Sequence, residues 1–415
     1  MSTPLQLGLV ALLALYVAWN LGANDVANSM GTSVGSKALT LRQALVVAGI
    51  LEFTGAVLFS QGVSDTLATQ VVDTDLFAPT PQLLLLGMVA VLISCGLWLQ
   101  IATRQGLPVA SSHAVVGAIA GFSWVAAGVS AVDWSVVGRI SVAWVITPIM
   151  SAAVAALFYS QIQRWILEQP NTLAQLQEWI PWLSAALVSV FGVIVLPDFF
   201  SQADFAWLPL SARNLSLATG AVAAVGLSVV SWRKLAQLRS QTEPASVLEH
   251  LLSRFQVVSA CFVAFAHGSN DVGNAIAPLA AIAYIGRTGS VPLAGLDIPS
   301  WILILGGLGI VAGLAVQGKQ VITTVGEEII PLQPSSGFCA EIATAATILL
   351  ASRFGIPVST SHALVGSVVG IGLLQSQQQV RFQTVQSVIL AWVVTLPVTA
   401  VFGAGSFWLL RWLLI

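Results

Sequence analysis

Apolar residues occur along this chain in long, unalternating stretches that short polar segments separate. A helix needs about 20 residues to cross the hydrocarbon core of a bilayer. Such stretches indicate helices, because only helices and closed barrels satisfy their backbone hydrogen bonds in lipid. The candidate spans lie at residues 5–24, 41–60, 83–104, 136–158, 178–198, 212–232, 252–268, 301–316, 337–354 and 384–410. Two further apolar segments, after Pro108 and Pro357, are short and broken, so the sequence predicts an all-α polytopic membrane protein of about 12 membrane segments.

Composition supports this fold class and excludes others. Of the 415 residues, 57% are hydrophobic and 8% are charged, which is outside the range of soluble globular domains. The formal net charge of −2 provides no basic surface for nucleic acid. The three cysteines stand singly in apolar runs without metal-ligand spacing, so we interpret them as small core residues. The first 20 residues lack the basic region of a signal peptide, and we therefore expect them to form the first span.

Two motifs occur twice, in the same order. "GLPVASSHAVVG" (106–117) matches "GIPVSTSHALVG" (355–366) at an offset of 249, and Asp25 matches Asp271 at an offset of 246. Two independent motifs at nearly the same spacing indicate a duplicated unit. We predict a first repeat with additional spans at 1–232, a polar cytoplasmic linker at 233–254 and a second repeat at 255–415.

The relative orientation of the repeats follows from the number of crossings between them. If the segment after Pro108 crosses the membrane, the number is even and the second repeat is inverted; if that segment is re-entrant, the repeats are parallel. Inversion with both termini outside puts ten of the fifteen Lys and Arg residues on the cytoplasmic side, as the positive-inside rule favours. We therefore predict two inverted-topology repeats with broken helices or helical hairpins at the midplane. Short loops favour the plasma (inner) membrane of a prokaryote.

Each repeat carries an acid inside an apolar stretch, in "GANDVANSMG" (22–31) and "GSNDVGN" (268–274). An ionised carboxylate at membrane depth is costly unless it faces a partner, an ion or water. Amide oxygens accompany both acids, and we expect the neighbouring glycines to loosen the helices so that backbone carbonyls turn inward. Carboxylate, amide and carbonyl oxygens suit a hard cation such as sodium, while polar helix packing is the alternative. The predicted cation ligands are Asp25, Asn24, Asp271 and Asn270, with Asn28 and Asn274 beside them.

The Pro-Ser-Thr motifs suggest an anion site. Proline and hydroxyl residues favour a helix start, and a helix that starts at membrane depth points free N–H groups and partial positive charge at what lies in front. Broken helices of this kind, one in each repeat, mark the substrate site of many transporters. A capped helix start is the alternative. The predicted anion-binding residues are the hydroxyls of Ser111, Ser112, Ser359, Thr360 and Ser361 and the amides of Asn28 and Asn274.

Four more titratable residues lie in apolar surroundings. His113 and His362 directly follow the hydroxyl residues, as members of a proton relay or as neutral packing residues bonded to the backbone. Glu52 and Glu341 are not equivalent by offset. Each could bind a cation, carry a proton, pair with a buried base or bond to a neighbouring helix.

The segments "GANDVANSMGTSVGSKALT", "FAHGSNDVGNAIAPLAA", "GLPVASSHAVVG" and "GIPVSTSHALVG" resemble the signatures of the inorganic phosphate transporter (Pit) family. The resemblance covers essentially the whole chain. It implies a sodium- or proton-coupled phosphate symporter with phosphate and cations bound between the two Asn-Asp helices and the two hairpins. It also implies cation and site roles for Asp25, Asn28, Asp271 and Asn274, anion contacts for Ser111, Ser112, Thr360 and Ser361, and functional acids at Glu52 and Glu341. Ala110 stands where the second motif has Ser359, so one hydroxyl is missing from the first hairpin.

Electrostatics suggests the mechanism. A dianion repels two nearby carboxylates by several kcal/mol even at an effective dielectric constant of about 20, so sodium ions or protons must enter with it. Phosphate can donate a hydrogen bond to a carboxylate and sulfate cannot, which favours phosphate and keeps a sulfate permease as the alternative. Paired acids argue against a passive anion channel. An intramembrane hydrolase built on Ser112 and His113 is disfavoured because adjacent helical residues point about 100° apart, so we predict no enzyme. The sequence leaves the oligomeric state open, with a homodimer as one option.

Overall fold

The protein is described by a computed structural model that covers residues 4–105, 109–202, 210–238, 244–325, 332–375 and 381–414. These residues form fifteen α-helices. They are α1 Pro4–Gly35, α2 Leu41–Phe59, α3 Gln61–Thr69, α4 Pro81–Arg104, α5 Ser111–Ala127, α6 Trp134–Ile162, α7 Thr172–Ile194, α8 Leu196–Gln202, α9 Ala212–Leu238, α10 Pro244–Asp271, α11 Gly273–Thr288, α12 Ser300–Val325, α13 Pro334–Arg353, α14 Thr360–Gln375 and α15 Phe382–Leu414.

The predicted membrane architecture is confirmed. Ten helical segments of the described chain are long and apolar enough to cross a membrane, and each coincides with a predicted span. The two short apolar helices α5 and α14 lie where broken segments were expected, although Pro108 itself lies outside the described residues. The described parts of the predicted linker, 233–238 and 244–254, belong to the end of α9 and the beginning of α10. The domain boundaries stay a prediction.

Helices from the two halves pack in exchanged pairs. Helix α1 packs along α12 and α10 along α2; in the same way α5 packs along α15 and α14 along α6. Each pair takes one helix from each half, as expected for two copies of one unit that are wrapped around each other. Pro4, at the start of α1, lines a pocket together with Arg287, near the end of α11. The start of α1 and the end of α11 therefore lie on the same side of the protein, and inversion of the repeats stays a prediction.

Glycine allows the closest of these contacts. A Cβ atom added to Gly22 would lie 2.0 Å from the carbonyl oxygen of Ile310, and one added to Gly268 would lie 2.0 Å from that of Glu52. The backbones therefore touch at two equivalent points, and a methyl group fits at neither. The expectation that glycines loosen both motif helices is wrong for the first motif, because α1 continues unbroken to Gly35. In the second motif the chain does break, at Val272 between α10 and α11.

We expect Gly22→Ala to destabilise the fold, because its methyl group would collide with backbone that cannot rotate away. Overpacking of this kind typically costs about 1–3 kcal/mol. Gly8→Ala is the matched control in the same helix, since no atom lies within 4 Å of a Cβ there. The unfolding midpoints of both variants in detergent check the prediction, and equal midpoints for the two would contradict it.

Candidate functional site

The two motif acids come together in the interior, although 246 residues separate them in sequence. Asp25 of α1 and Asp271 at the end of α10 are buried, and His267 lies with them. One ligand atom from each of the three residues lies within 4.8 Å of the others. Like charges at such distances are tolerated only with nearby positive charge or protons. The pairing of α1 with α10 therefore builds a group of three residues that could hold a cation.

Several acceptor oxygens in this region have no donor among the described residues. They are Oδ2 of Asp25, Oδ1 of Asp271 and Oδ1 of Asn274. The other polar atoms of these side chains are paired. Asn28 donates to Oδ1 of Asp25 at 3.3 Å, and Thr360 donates to Oδ2 of Asp271 at 2.8 Å. Buried acceptors without donors are costly, and hard-cation sites are built from such oxygens.

The two broken helices begin beside the acids. Helix α5 begins at Ser111, whose hydroxyl accepts a 3.3 Å hydrogen bond from Asn274, and α14 begins at Thr360, which bonds to Asp271. The Ser112 hydroxyl is buried and has no partner among the described residues. Free N–H groups and hydroxyls of both helix starts thus lie next to the acids. Anion donors and cation acceptors share one region, as the two motifs predict.

The two capping positions differ as the sequence indicates. Ser359 precedes α14, and its hydroxyl accepts a 3.3 Å bond from the N–H of His362 and lies 2.8 Å from the Ser361 hydroxyl. Ala110 precedes α5 and makes no side-chain cap. Ser359 therefore serves as a helix cap, which was the alternative to its predicted role in binding the anion.

Asn24 and Asn270 make helix-packing contacts. Asn24 donates to Thr103 at 3.0 Å, and Asn270 donates at 2.9 Å to Ser352, which is 249 residues after Thr103. The Asn270 oxygen also accepts from the N–H of Val358 at 3.2 Å. Both amides therefore join the motif helices to the ends of α4 and α13. This arrangement corresponds to the packing alternative, and sodium ligation by the two amide oxygens stays a prediction.

Glu341 lies among neutral donors from two neighbouring helices, α1 and α10. The hydroxyls of Thr32 and Ser33 donate to its Oε1 at 2.6 Å each, Gln256 donates to Oε1 at 3.1 Å, and Ser259 donates to Oε2 at 2.7 Å. It is not a member of the group formed by Asp25, His267 and Asp271. Four donors satisfy this carboxylate, so the structure supports its expected bonds to neighbouring helices.

Glu52 pairs with a buried base, which is one of the roles that the sequence leaves open. Its Oε2 lies 3.1 Å from Nδ1 of His267, and its Oε1 accepts a 2.8 Å bond from Ser29. The other ring nitrogen of His267, Nε2, lies 3.2 Å from Oδ2 of Asp271. An imidazole can donate to carboxylates on both sides only when both nitrogens carry hydrogen. His267 thus bridges two acids and is the functional residue that the sequence analysis missed.

The sequence contains a signal for His267, because its counterpart 246 residues earlier is Leu21. The equivalent backbone contacts of Gly22 and Gly268 also match Glu52 with Ile310. The pair Leu21 and Ile310 therefore occupies in one half the place of His267 and Glu52 in the other. His267 lies one helical turn before Asp271, whereas the matching residue in the first half, Leu21, is apolar. The two motifs therefore differ in chemistry at this position.

His113 and His362 are buried, and each bonds through Nδ1 to a backbone carbonyl at 3.0 Å. These bonds correspond to the packing alternative. A proton relay through the two residues stays a prediction.

We expect His267→Gln to reduce substrate turnover by at least about tenfold, because glutamine cannot supply the positive charge that a protonated imidazole places between Glu52 and Asp271, and the two acids then repel. The double variant with Glu52→Gln should be less impaired than the sum of the single effects, since the second change removes one of the unpaired charges. Uptake by reconstituted protein, normalised to the amount inserted, checks both statements. Additive losses would show that the two residues do not act as a pair.

Comparison with known proteins assigns this chain to a family. Residues 21–403 match the phosphate transporter family. The chain is 39% identical to the chloroplastic inorganic phosphate transporter 2-1 of Arabidopsis thaliana over 96% of this chain and 71% of that protein. It is 36% identical to a putative phosphate permease of Haemophilus influenzae over 97% of this chain and 96% of that protein.

A solved structure gives the same result for the fold. The structure titled "The sodium-dependent phosphate transporter" is 33% identical in sequence, with a TM-score of 0.90, and the match covers 98% of this chain and 99% of that one. The resemblance read from the motifs is confirmed, and with it the assignment to transport proteins. This chain is a polytopic membrane protein that belongs to the phosphate transporter family.

Proposed function

We propose that this protein imports inorganic phosphate together with sodium by alternating access. The observation that carries the proposal is the set of buried oxygens on Asp25, Asp271 and Asn274 that have no donor among the residues the structure describes, next to two helix starts that present hydroxyls and N–H groups. Acceptors bind a cation and donors bind an oxyanion, so one region suits both ions at once.

Repulsion between the acids and phosphate explains the coupling. Two unit charges 4 Å apart interact by about 4 kcal/mol at an effective dielectric constant of 20. Asp25 and Asp271 would therefore oppose a phosphate anion strongly unless positive charge lies between them. Sodium at the acid pair removes this repulsion, and phosphate in turn makes the second positive charge less costly. Each ion raises the affinity for the other by the same factor, as linkage requires.

Phosphate contacts in this proposal come from the two helix starts. Ser111 and Ser112 begin α5, and Thr360 and Ser361 begin α14. Their hydroxyls can donate to phosphate oxygens, as can backbone N–H groups in the first turn of each helix. We also assign Asn28 and Asn274 to phosphate, because the Asn28 amide donates to Asp25 of the acid pair and the Asn274 amide donates to Ser111 at the start of α5.

Two observations favour sodium as the coupling ion. Carboxylate and amide oxygens form a hard set of ligands, and the similar solved structure is titled as a sodium-dependent transporter. Protons on the same carboxylates would also remove the repulsion, so pH and sodium must be varied separately. The location that we propose is the plasma membrane of a prokaryote, with both termini outside.

We expect proteoliposomes containing the protein to accumulate labelled phosphate against its gradient when a sodium gradient is imposed. Asp25→Asn removes one of the two charges that attract sodium and should reduce sodium-driven uptake by at least about tenfold, the effect of losing roughly 1.4 kcal/mol of binding. Asp75→Asn is the matched control, because Asp75 is exposed outside the spans, and its uptake should equal that of the unsubstituted protein.

Specific outcomes of this experiment reject parts of the proposal. Phosphate affinity that is unchanged over a sodium titration at constant pH would remove sodium as the coupling ion. Uptake that follows a pH gradient alone would replace it with protons. Equilibration of phosphate without accumulation would identify a passive channel.

We also expect phosphate rather than sulfate to be the transported anion. Monohydrogen phosphate can donate a hydrogen bond to one of the free acceptor oxygens of Asp25 or Asp271, whereas sulfate only accepts and leaves that oxygen unpaired. An unmade hydrogen bond of this kind costs about 1–3 kcal/mol. Unlabelled sulfate should therefore reduce labelled phosphate uptake much less than the same concentration of unlabelled phosphate does. Strong inhibition by sulfate, together with uptake of labelled sulfate, would identify a sulfate permease.

A further inference from the structure

Four aromatic rings form a buried column between the two broken helices. The His113 ring of α5 lies against Trp144 of α6, with centroids 3.8 Å apart, and the His362 ring of α14 lies against Trp392 of α15 at 3.7 Å. The two imidazoles meet edge to face, with centroids 4.8 Å apart. All four residues are buried. The column therefore runs Trp144, His113, His362, Trp392, and each half of the chain contributes one indole and one imidazole.

Hydrogen bonds cross the column. Nδ1 of His113 lies 3.0 Å from the carbonyl oxygen of Trp392, and Nδ1 of His362 lies 3.0 Å from that of Trp144. A carbonyl oxygen only accepts, so both rings carry their hydrogen on Nδ1. Pro148 follows Trp144 by four residues inside α6 and has no N–H to donate to that carbonyl. His362 therefore donates to the Trp144 carbonyl, which lacks the usual helical N–H donor because Pro148 occupies that position.

Each broken helix is closely packed on a long helix. A Cβ added to Gly366 of α14 would lie 2.2 Å from the carbonyl oxygen of Pro148 in α6. A Cβ added to Gly121 of α5 would lie 1.9 Å from that of Ala400 in α15. Backbones this close leave little freedom within each pair. The four rings lie where the pair α5–α15 meets the pair α14–α6.

We propose that His113 and His362 are positioning residues that hold the two helix starts at the separation and orientation required for phosphate. This inference rests on the proposed function of those helix starts. His113 follows Ser112 and His362 follows Ser361, so a change in either ring reorients the hydroxyls beside it. The four rings are in contact along the whole column, so loss of one imidazole loosens the positions of both helix starts. The acid pair lies on α1 and α10, outside the column, so sodium binding does not require these rings.

Two substitutions at each position separate the ring from its hydrogen bond. His113→Phe and His362→Phe retain a ring but lose the N–H, whereas His113→Asn and His362→Asn place an amide N–H near the position of Nδ1 and lose the ring. We expect both Phe variants to raise the phosphate KM, His362→Phe by about tenfold because Pro148 leaves the Trp144 carbonyl without another helical donor, and each Asn variant to raise it less than the Phe variant at the same position. His250→Asn is the matched control, since His250 is exposed, and its KM should not change.

A second measurement separates positioning from general damage. The shift of the unfolding midpoint with sodium alone should be retained in the Phe variants, while the shift with added phosphate should need higher concentrations. The double variant His113→Phe with His362→Phe should raise the KM no more than the worse single change, since the rings act as one unit.

An unchanged phosphate KM in correctly folded Phe variants would overturn the inference. If the Phe variants do not fold, an unchanged KM in both Asn variants overturns it as well. An unchanged KM together with a lost pH dependence of the maximal rate would assign the histidines to a proton relay instead. Failure of the unsubstituted protein to accumulate phosphate rejects the proposed function, and phosphate-dependent thermal shifts still test the column in that case.

Discussion

Two carboxylates held close together in a low-dielectric interior are the constraint on which the site depends. Asp25 and Asp271 reach the same region because helices of the two halves of the chain pack in exchanged pairs, so that α1 and α10 lie side by side. Neither acid could persist there alone in charged form without compensation. Histidine, hydroxyl and amide groups around them supply part of that compensation, and the free oxygens indicate where further positive charge is needed.

Divergence between the copies makes the two acids unequal. Asp271 has His267 beside it and Glu52 beyond that ring, whereas the corresponding places near Asp25 are Leu21 and Ile310. The base is therefore in ion-pair contact with Asp271, whereas Asp25 accepts its hydrogen bond from Asn28. The backbone contacts of Gly22 and Gly268 are thus equivalent in the two halves, whereas the side chains beside Asp25 and Asp271 differ.

The spans, the duplicated motifs and the acid pair could be predicted from sequence because each depends on local composition or on a repeated pattern. The contacts of Asn24 with Thr103 and of Glu341 with donors on α1 could not, since they join residues 79 to 309 positions apart. The role of Gly22 was misread for the same reason. Glycine in a helix weakens it in isolation, and only the partner backbone at Ile310 shows that close approach is its function here.

Exchange of helices also links movement to binding. Ser111 begins a helix that is packed on α15, and Thr360 begins one that is packed on α6, so a shift of α15 relative to α6 changes the distance between the two hydroxyls. The same shift alters the bonds from Asn274 to Ser111 and from Thr360 to Asp271. Under the proposed function, an anion held by both helix starts would favour the arrangement in which they are close, and cations at the acids would favour the same arrangement by admitting the anion. Differential affinity of this kind is sufficient for ligands to shift a conformational equilibrium.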